Sequence, residues 1–583
     1  MPEPLAKILP QPENFTPTIS KRERPPPGFF KEGRKAHEGK IVEPPPEFIA
    51  PKTLLQAKKS LFWEGFRGAI EEELNSLEKN TTWEYVDIQT LKKDTNILRS
   101  KFVFDIKRGA GGEFLKYKAR MVAQGQTQVQ GIDYEETFAS VMIGKSFKIL
   151  LAIWNFFPEL QFEHWDVKTA FVNAPLKEKI YCRQVPGFEK PGTEKKILLL
   201  KKALYGTKQA AHAWQKFLTE ILVKQGGVRC RKDECVYIFR KGKGFCFLST
   251  HVDDLFPLFN PEGKEIRDKI LQALRGQMQI DDKGTLSFAL DTKIERDKGG
   301  GVLKISQQTY AETILQEFFP RGSAPRETPA QLEDLSDADL PKTSEEKKEV
   351  DRLPIRNLIG KLWWLTLISR PDIQCALHKC ATWQNKPSLK LWKYLLNIVK
   401  YLANTKHFGL IFIRPKNSEN CLQAFCDAAF ATEEGSKSRW GYYFFVLGGL
   451  VSWQTKHTTR VVSSSTEAET HALVHTGKEN IWVREFLAEL NLFKTIPRTI
   501  LYNDNKSALT LSTGGTCHKR SKHFGIEFDI FREYVQLGEV QLEHIRTDDL
   551  PADMLTKPLP PVKFTYFRDM VMGGERLQQY FQK

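Results

Sequence analysis

At 583 residues the chain is too long for one hydrophobic core, and three to five folded units are expected. A hydrophobic share of 41% beside 27% charged residues excludes a wholly disordered or fibrous chain, and no apolar run approaches the roughly 20 residues of a membrane-spanning helix. The formal charge of +16 implies a polyanionic partner, because basic surface gains affinity for phosphates through counterion release.

Residues 1–52 hold Pro25–Pro27, Pro44–Pro46 and few apolar side chains, so a disordered or extended leader is expected. MPEPLAKILPQPEN lacks the apolar segment of a signal peptide, which places the chain inside the cell with no membrane partner. From Thr53, the residues Leu61, Phe62, Phe66, Ile70, Leu74 and Leu77 recur at helical steps and predict one amphipathic helix. NTTWEYVD begins a strand. ILRSKFVFDIKR, a turn at Gly109–Gly112 and EFLKYKARMVAQG then predict a basic hairpin. GIDYEETFASV reads as loop, SFKILLAIWNFF as helix and LQFEHWDV as a strand that ends in Asp166.

KKALYGTKQAAHAW turns at Gly206 into a helix, and residues 244–260, GFCFLSTHVDDLFPLFN, place Asp253 and Asp254 between two apolar runs. Adjacent carboxylates in that setting suit the tip of a β-hairpin that offers oxygen ligands to Mg²⁺. Together with EHWDVKTAFVNAPL, these stretches form a set that resembles the reverse transcriptase of copia-type retrotransposons, from about Thr53 to the C-terminus. The resemblance implies an α+β multidomain protein: a right-hand polymerase of fingers, palm and thumb, then a connection and a ribonuclease H-like α/β domain. It makes Asp166, Asp253 and Asp254 catalytic metal ligands. By the same carry-over Lys118 and Arg120 contact the triphosphate, Phe171 blocks a ribose 2′-hydroxyl, Tyr205 and Gly206 lie under the nucleotide and template base, and Lys208 lies near phosphate. The sequence departs from the family at Ala211-His212, where Pro-Arg is usual, at His251 in place of Tyr, and at Asp291 in place of Gly.

PEGKEIRDKILQALRGQMQI predicts a helix packed on the sheet, and GTLSFALDTKIERDKGGGVLKISQQTYAETILQEFF predicts two strands, a glycine turn and a helix. Residues 323–353 read as a polar linker. Residues 354–420 read as helices whose Trp363, Trp364, Trp383 and Trp392 recur at packing spacing, with a copia-like Ser-Arg-Pro-Asp-Ile block at 369–373. Three Cys-x4-Cys pairs, Cys230/Cys235, Cys375/Cys380 and Cys421/Cys426, lie in apolar contexts and read as buried thiols rather than zinc ligands.

From Cys421 the order strand, hairpin, helix, strand, helix, strand, helix is that of a ribonuclease H fold. The resemblance places its acids at Asp427, Glu469, Asp504 and Asp553. Thr466-x-x-Glu469 also fits a capping box, with Glu467 as the alternative ligand. KHFGIEFDIFRE departs from its relatives at Gly525 and Asp529 but keeps Lys522 and His523, the latter a candidate for product release.

The expected units are the leader 1–52, fingers and palm 53–260, palm end and thumb 261–322, linker 323–353, helical thumb or connection 354–420, and ribonuclease H 421–583. The implied function is an RNA-directed DNA polymerase with a ribonuclease H that degrades the RNA of RNA–DNA hybrids. Its cofactor is Mg²⁺, two ions per site, with Mn²⁺ as a substitute. Its partners are an RNA template, a DNA primer, the RNA–DNA hybrid, deoxynucleoside triphosphates and other parts of the polyprotein, in a cytoplasmic particle or the nucleus. Before residue 53 nothing resembles capsid, protease or integrase, so the 3′ portion of a longer polyprotein, or a solo fragment, is expected. The rival reading is a catalytically silent remnant that only binds nucleic acid.

Overall fold

The computed structural model describes residues 42–45, 48–108, 113–297, 299–331, 333–416, 421–433, 435–514 and 526–573. The turn at 109–112, Lys522, His523, Gly525 and nearly all of the leader therefore lie outside the described residues.

The first predicted helix is two: α1 (Leu54–Lys59), with the Thr53 side chain accepting from Gln56 N at 3.2 Å, and α2 (Trp63–Lys79). Extended backbone at Ser60 ends α1, so Leu61 is left exposed, while Phe66, Ile70 and Leu77 are buried. α2 packs on the ribbon of β3 (Ser100–Arg108) and β4 (Phe114–Ala123), through Phe66, Phe104 and Tyr117. Beside them β1 (Trp83–Asp87), β2 (Ile97–Leu98), β6 (Pro175–Cys182) and β7 (Lys196–Lys202) form a sheet in the order β1-β7-β6-β2.

The central sheet runs β12-β5-β11-β10-β9-β8. Its strands are β5 (Gln161–Val167), β8 (Val228–Arg229), β9 (Val236–Lys241), β10 (Gly244–His251), β11 (Asp254–Phe259) and β12 (Ile280–Thr285). Helix α3 (Gly144–Phe156) covers one face, with Phe147 against Phe162 and Phe256. Helices α4 (Ala210–Lys224) and α5 (Lys264–Arg275) cover the other, where Trp214, Leu218, Ile270 and Leu274 meet Trp165, Cys246 and Leu248. The alternation of β10 supplies both cores at once.

β13 (Phe288–Ala289), β14 (Thr292–Arg296) and β15 (Val302–Ser306) lead into α6 (Gln308–Phe318). Leu290 and Asp291, the two residues of the β13–β14 turn, have φ of 52° and 55°, a conformation that glycine adopts without steric cost. Residues 323–353, expected as a linker, carry α7 (Ser344–Asp351) under a Thr343–Glu346 capping box. Their acids meet Lys379 (Asp334), Lys386 (Asp337, 2.8 Å) and Lys390 (Asp339, 3.3 Å), so charge holds this segment down.

Helices α8 (Ile355–Ile368), α9 (Gln374–Thr382) and α10 (Leu389–Thr405) follow. Trp392 is buried among them, and Trp363 and Trp383 pack on the same core, as their spacing predicts. Within the 369–373 block Arg370 and Asp372 form a buried two-bond pair at 2.9 and 2.7 Å. β16 (Leu410–Ile413) then pairs antiparallel with β15, which joins this helical region to the strands before it. All eight described cysteines are buried and free, the three Cys-x4-Cys pairs included.

The last sheet runs β19-β18-β17-β20-β21, from β17 (Leu422–Glu433), β18 (Lys437–Val446), β19 (Gly449–His457), β20 (Thr499–Asn503) and β21 (Val540–His544). The first three pair antiparallel and the last two parallel. Helices α11 (Ser465–Leu490), α12 (Lys506–Thr513), α13 (Ile526–Gln536), α14 (Asp553–Thr556) and α15 (Pro561–Val571) complete the unit; α13, before the last strand, and the split of the final helix into two depart from the expected order. α3 docks on this unit: Lys145 pairs with Glu479 at 2.8 Å above the Trp482 ring, and Lys148 lies 3.7 Å from the Trp453 ring centre. Among the described residues no helix is long and apolar enough to cross a membrane.

Candidate active sites

β5 ends where the β10–β11 hairpin turns, and the register puts Asp254 opposite Asp166. On the other side of β5, Asp281 of β12 is also opposite Asp166. Directly opposed residues share a face, so Asp254, Asp166 and Asp281 form a row of three carboxylates across three strands. Asp281 was missed in the sequence because IDDKGT lacks apolar alternation, although its second Asp-Asp pair was a signal. Asp253 occupies the turn itself, which Val167 N (to Asp253 O, 2.8 Å) and Trp214 Nε1 (to Val252 O, 2.7 Å) hold in place. Val252 has a φ of 57°, a strained value for a β-branched residue, retained where it aims Asp253 away from the sheet.

Asp166, Asp253, Lys118, Arg120, Tyr205, Thr169 and Asn173 line one cleft of about 420 Å³. Burial, then the charge of Asp254, raises the Asp253 carboxyl above its ordinary range. Burial and Arg120 lower the Lys118 ammonium. Burial pushes the Tyr205 phenol up to about 12; the ring takes Arg120 on its face at 5.5 Å and Phe171 on its edge at 5.2 Å. Asp166 and Asp253 thus share one cleft with Lys118 and Arg120, while Asp254 and Phe171 are absent from its lining, Phe171 packing on the Tyr205 ring. Neighbouring side chains already engage the acids: His164 Nε2 lies 2.6 Å from Asp254 Oδ1, and Lys168 Nζ lies 2.5 Å from Asp166 Oδ2 and 2.7 Å from Asp281 Oδ2.

The Tyr205-Gly206 turn is tied to the ribbon, since Ala123 N donates to Tyr205 O at 2.8 Å and Gly125 N to Gly206 O at 3.2 Å. Gly206 has a φ of +85°, and a Cβ there would lie 2.2 Å from Ala123 O. Gly206→Ala is expected to destabilise by about 1–3 kcal/mol, read as a lower denaturant midpoint. Lys208 stands apart from the cleft: its ammonium reaches Gln128 O at 3.2 Å and the Tyr134 hydroxyl at 3.1 Å. His212, in the usual arginine position, bonds Phe138 O at 2.7 Å.

The second site forms at the middle of β17, which carries Asp427, and just past the C-terminal end of β20, where Asp504 lies. Ligand atoms of Asp427, Glu469 and Asp504 all lie within 4.8 Å of one another, the one such group among the described residues. The capping alternative resolves differently from the Thr466-x-x-Glu469 box: Ser464 caps α11, and Glu467 accepts from Ser463 N at 2.7 Å. Glu469 is left to face Asp427, with Asn503 Nδ2 donating to it at 2.9 Å. Asp553 is wholly buried but lies outside the trio, held by Lys557 at 2.6 Å and Lys563 at 2.9 Å. Thr556 Oγ1, one turn on, donates to Asp427.

Burial, then the Asp553 charge, pushes Asp427 up to about 7, and burial raises Glu469 well above its ordinary range. For Asp427 the folded state therefore holds more protons than the unfolded state between about pH 4 and about 7, and stability falls as pH rises through that window. Melting in a chelator is expected to drop across it, and Asp427→Asn is expected to remove most of the drop. Added Mg²⁺ is expected to restore stability at neutral pH.

Residues 80–331 match the family model for reverse transcriptase (RNA-dependent DNA polymerase). The Retrovirus-related Pol polyprotein from transposon TNT 1-94 of Nicotiana tabacum is 34% identical over 506 residues, covering 86% of this chain and 37% of its own length. That from transposon RE1 of Arabidopsis thaliana is 31% identical over 553 residues, covering 92% and 36%. The chain thus spans little more than a third of these curated relatives. A foamy viral protease-reverse transcriptase in complex with double-stranded DNA has a TM-score of 0.39 at 11% identity, over 82% of this chain and 70% of that one. RNase H1 of Halobacterium salinarum has a TM-score of 0.17 at 17% identity, over 23% and 93%. Likenesses this loose carry no argument. The sequence matches do: residues 80–331 are a reverse-transcriptase-family region, and the chain is a homologue of the Pol polyproteins of copia-type plant transposons.

Proposed function

We propose that the chain extends a DNA primer on an RNA template and, through its C-terminal unit, cuts the RNA strand of the resulting hybrid. The observation that carries the first activity is the single cleft lined by Asp166, Asp253, Lys118, Arg120 and Tyr205. It offers acids for a metal and cations for a triphosphate on opposite walls. The second rests on the crowding of Asp427, Glu469 and Asp504.

Both sites fit Mg²⁺, a hard ion that takes carboxylate oxygens and leaves room for phosphate. Asp166 and Asp253 would hold it at the first, the trio at the second, with Mn²⁺ as a substitute. Bound there in pairs, such ions stabilise the attacking and leaving oxygens of an in-line displacement. On the protein side, Lys118 and Arg120 neutralise the triphosphate, and Phe171 fills the volume of a ribose 2′-hydroxyl, favouring deoxynucleotides. Fingers, palm and thumb are then the β3–β4 ribbon region, the central sheet, and the region from α6 onward. The surplus of positive charge grips the template–primer backbone without reading sequence. The setting is a cytoplasmic particle or the nucleus, beside other polyprotein parts.

The test is Mg²⁺-dependent extension of a DNA primer on RNA, and cleavage of the RNA in a preformed hybrid, by the full chain. Both activities are expected. Salt-sensitive hybrid binding with neither activity would establish the silent-remnant reading instead.

A further inference from the structure

The ammonium of Lys168 bridges Asp166 Oδ2 at 2.5 Å and Asp281 Oδ2 at 2.7 Å. A cation on Asp166 competes with any divalent ion that Asp166 is to bind, because both take the same oxygens. Lys168 must therefore leave Asp166 when metal enters. The register already supplies its destination: Asp281 is one strand away in the same row, on the same face. Lys168 needs only to give up one of two bonds it already makes and keep the other.

We infer that Asp281 is a positioning residue of the polymerase site, a carboxylate that takes Lys168 off Asp166 so that a divalent cation can bind there. This rests on the function proposed above. Nothing else in the row can do it. Asp254 is engaged by His164 at 2.6 Å on the far side of Asp166. Lys283, at 3.3 Å from Asp281 and 3.8 Å from Asp166, is a second cation that the same carboxylate restrains. Without the Asp281 charge both lysines are left to Asp166.

The test uses Mn²⁺ as the probe, with bound ion followed by electron paramagnetic resonance. The full chain carries Asp427→Asn and Asp504→Asn, so that the second site does not contribute. Asp281→Asn is expected to weaken Mn²⁺ binding roughly fivefold or more, and Lys168→Met to tighten it. On a Lys168→Met, Lys283→Met background, Asp281→Asn is expected to change binding by less than about twofold, because both competitors are gone. Asp281→Glu, which keeps the charge, is expected to bind as the parent does; a merely structural role would make it fail as Asn does. An equal loss from Asp281→Asn on both backgrounds, or no loss on either, overturns the inference while leaving the polymerase site standing. Absence of Mn²⁺ binding sensitive to Asp166→Asn and Asp253→Asn in the parent overturns both it and the proposed function.

Discussion

Asp253→Asn is expected to lower primer extension on the order of a thousandfold, the upper range for loss of one contact to developing charge in a transition state. Asp254→Asn is expected to cost about tenfold, or about 1.4 kcal/mol. The inequality follows from where the two adjacent carboxylates point. Asp253 lines the cleft with Lys118 and Arg120, and its neighbours Asp254 and Asp166 raise its affinity for positive charge. Asp254 is absent from that lining, and one of its oxygens is taken by His164 in the sheet face. Single-turnover extension at saturating primer–template separates the two variants, and hybrid binding checks that each remains folded. Equal losses would show that the hairpin acts as one unit and that the His164 contact opens on substrate binding.

Asp372→Ala is expected to cost about 3–5 kcal/mol of stability, the range for stranding a buried charge. Arg370 is 1% exposed and Asp372 2%. Two bonds join them; Tyr401 donates to Asp372 at 2.7 Å, and Arg370 donates to Thr405 O at 2.9 Å and Thr405 Oγ1 at 2.7 Å. All three guanidinium nitrogens are thus engaged, and removal of the acid leaves a buried guanidinium without its counter-charge. Joint replacement, Arg370→Met with Asp372→Leu, is expected to cost far less, because it removes both desolvation penalties together. Denaturant midpoints of the three chains decide whether the pair acts as a charge unit or as individual packing groups.

Elements with strong apolar rhythm were legible in the sequence: α3, α4, β10 and the C-terminal order from β17 onward, except the helix Ile526–Gln536 and the split of the last helix. The motif acids Asp166 and Asp253 share one cleft, and Asp427, Glu469 and Asp504 crowd together, Glu469 because its capping alternative fell to Ser464 and Glu467; Asp254 and Asp553 lie outside these two groups. What escaped is polar. β12, IDDKGT, pairs with β5 but has no apolar alternation, and its Asp281–Lys283 stretch fell between the expected helix and the expected strands, so Asp281 went unseen. Residues 323–353 are tied down by ion pairs, which composition cannot tell from a solvated linker. Lys208 could be placed in a motif but not aimed, because its partners Gln128 and Tyr134 come from a loop far back in the chain.

One helix touches both the central sheet and the C-terminal unit. α3 lies beneath the strand that carries Asp166, and its Lys145 grips Glu479 on α11, the helix that also carries Glu469. On the proposed function this makes α3 the beam of a calliper, whose two jaws are the sites of synthesis and scission. RNA cuts made during extension would then trail the new 3′ end by a constant number of base pairs, a gauge written in helix length and indifferent to what the template spells.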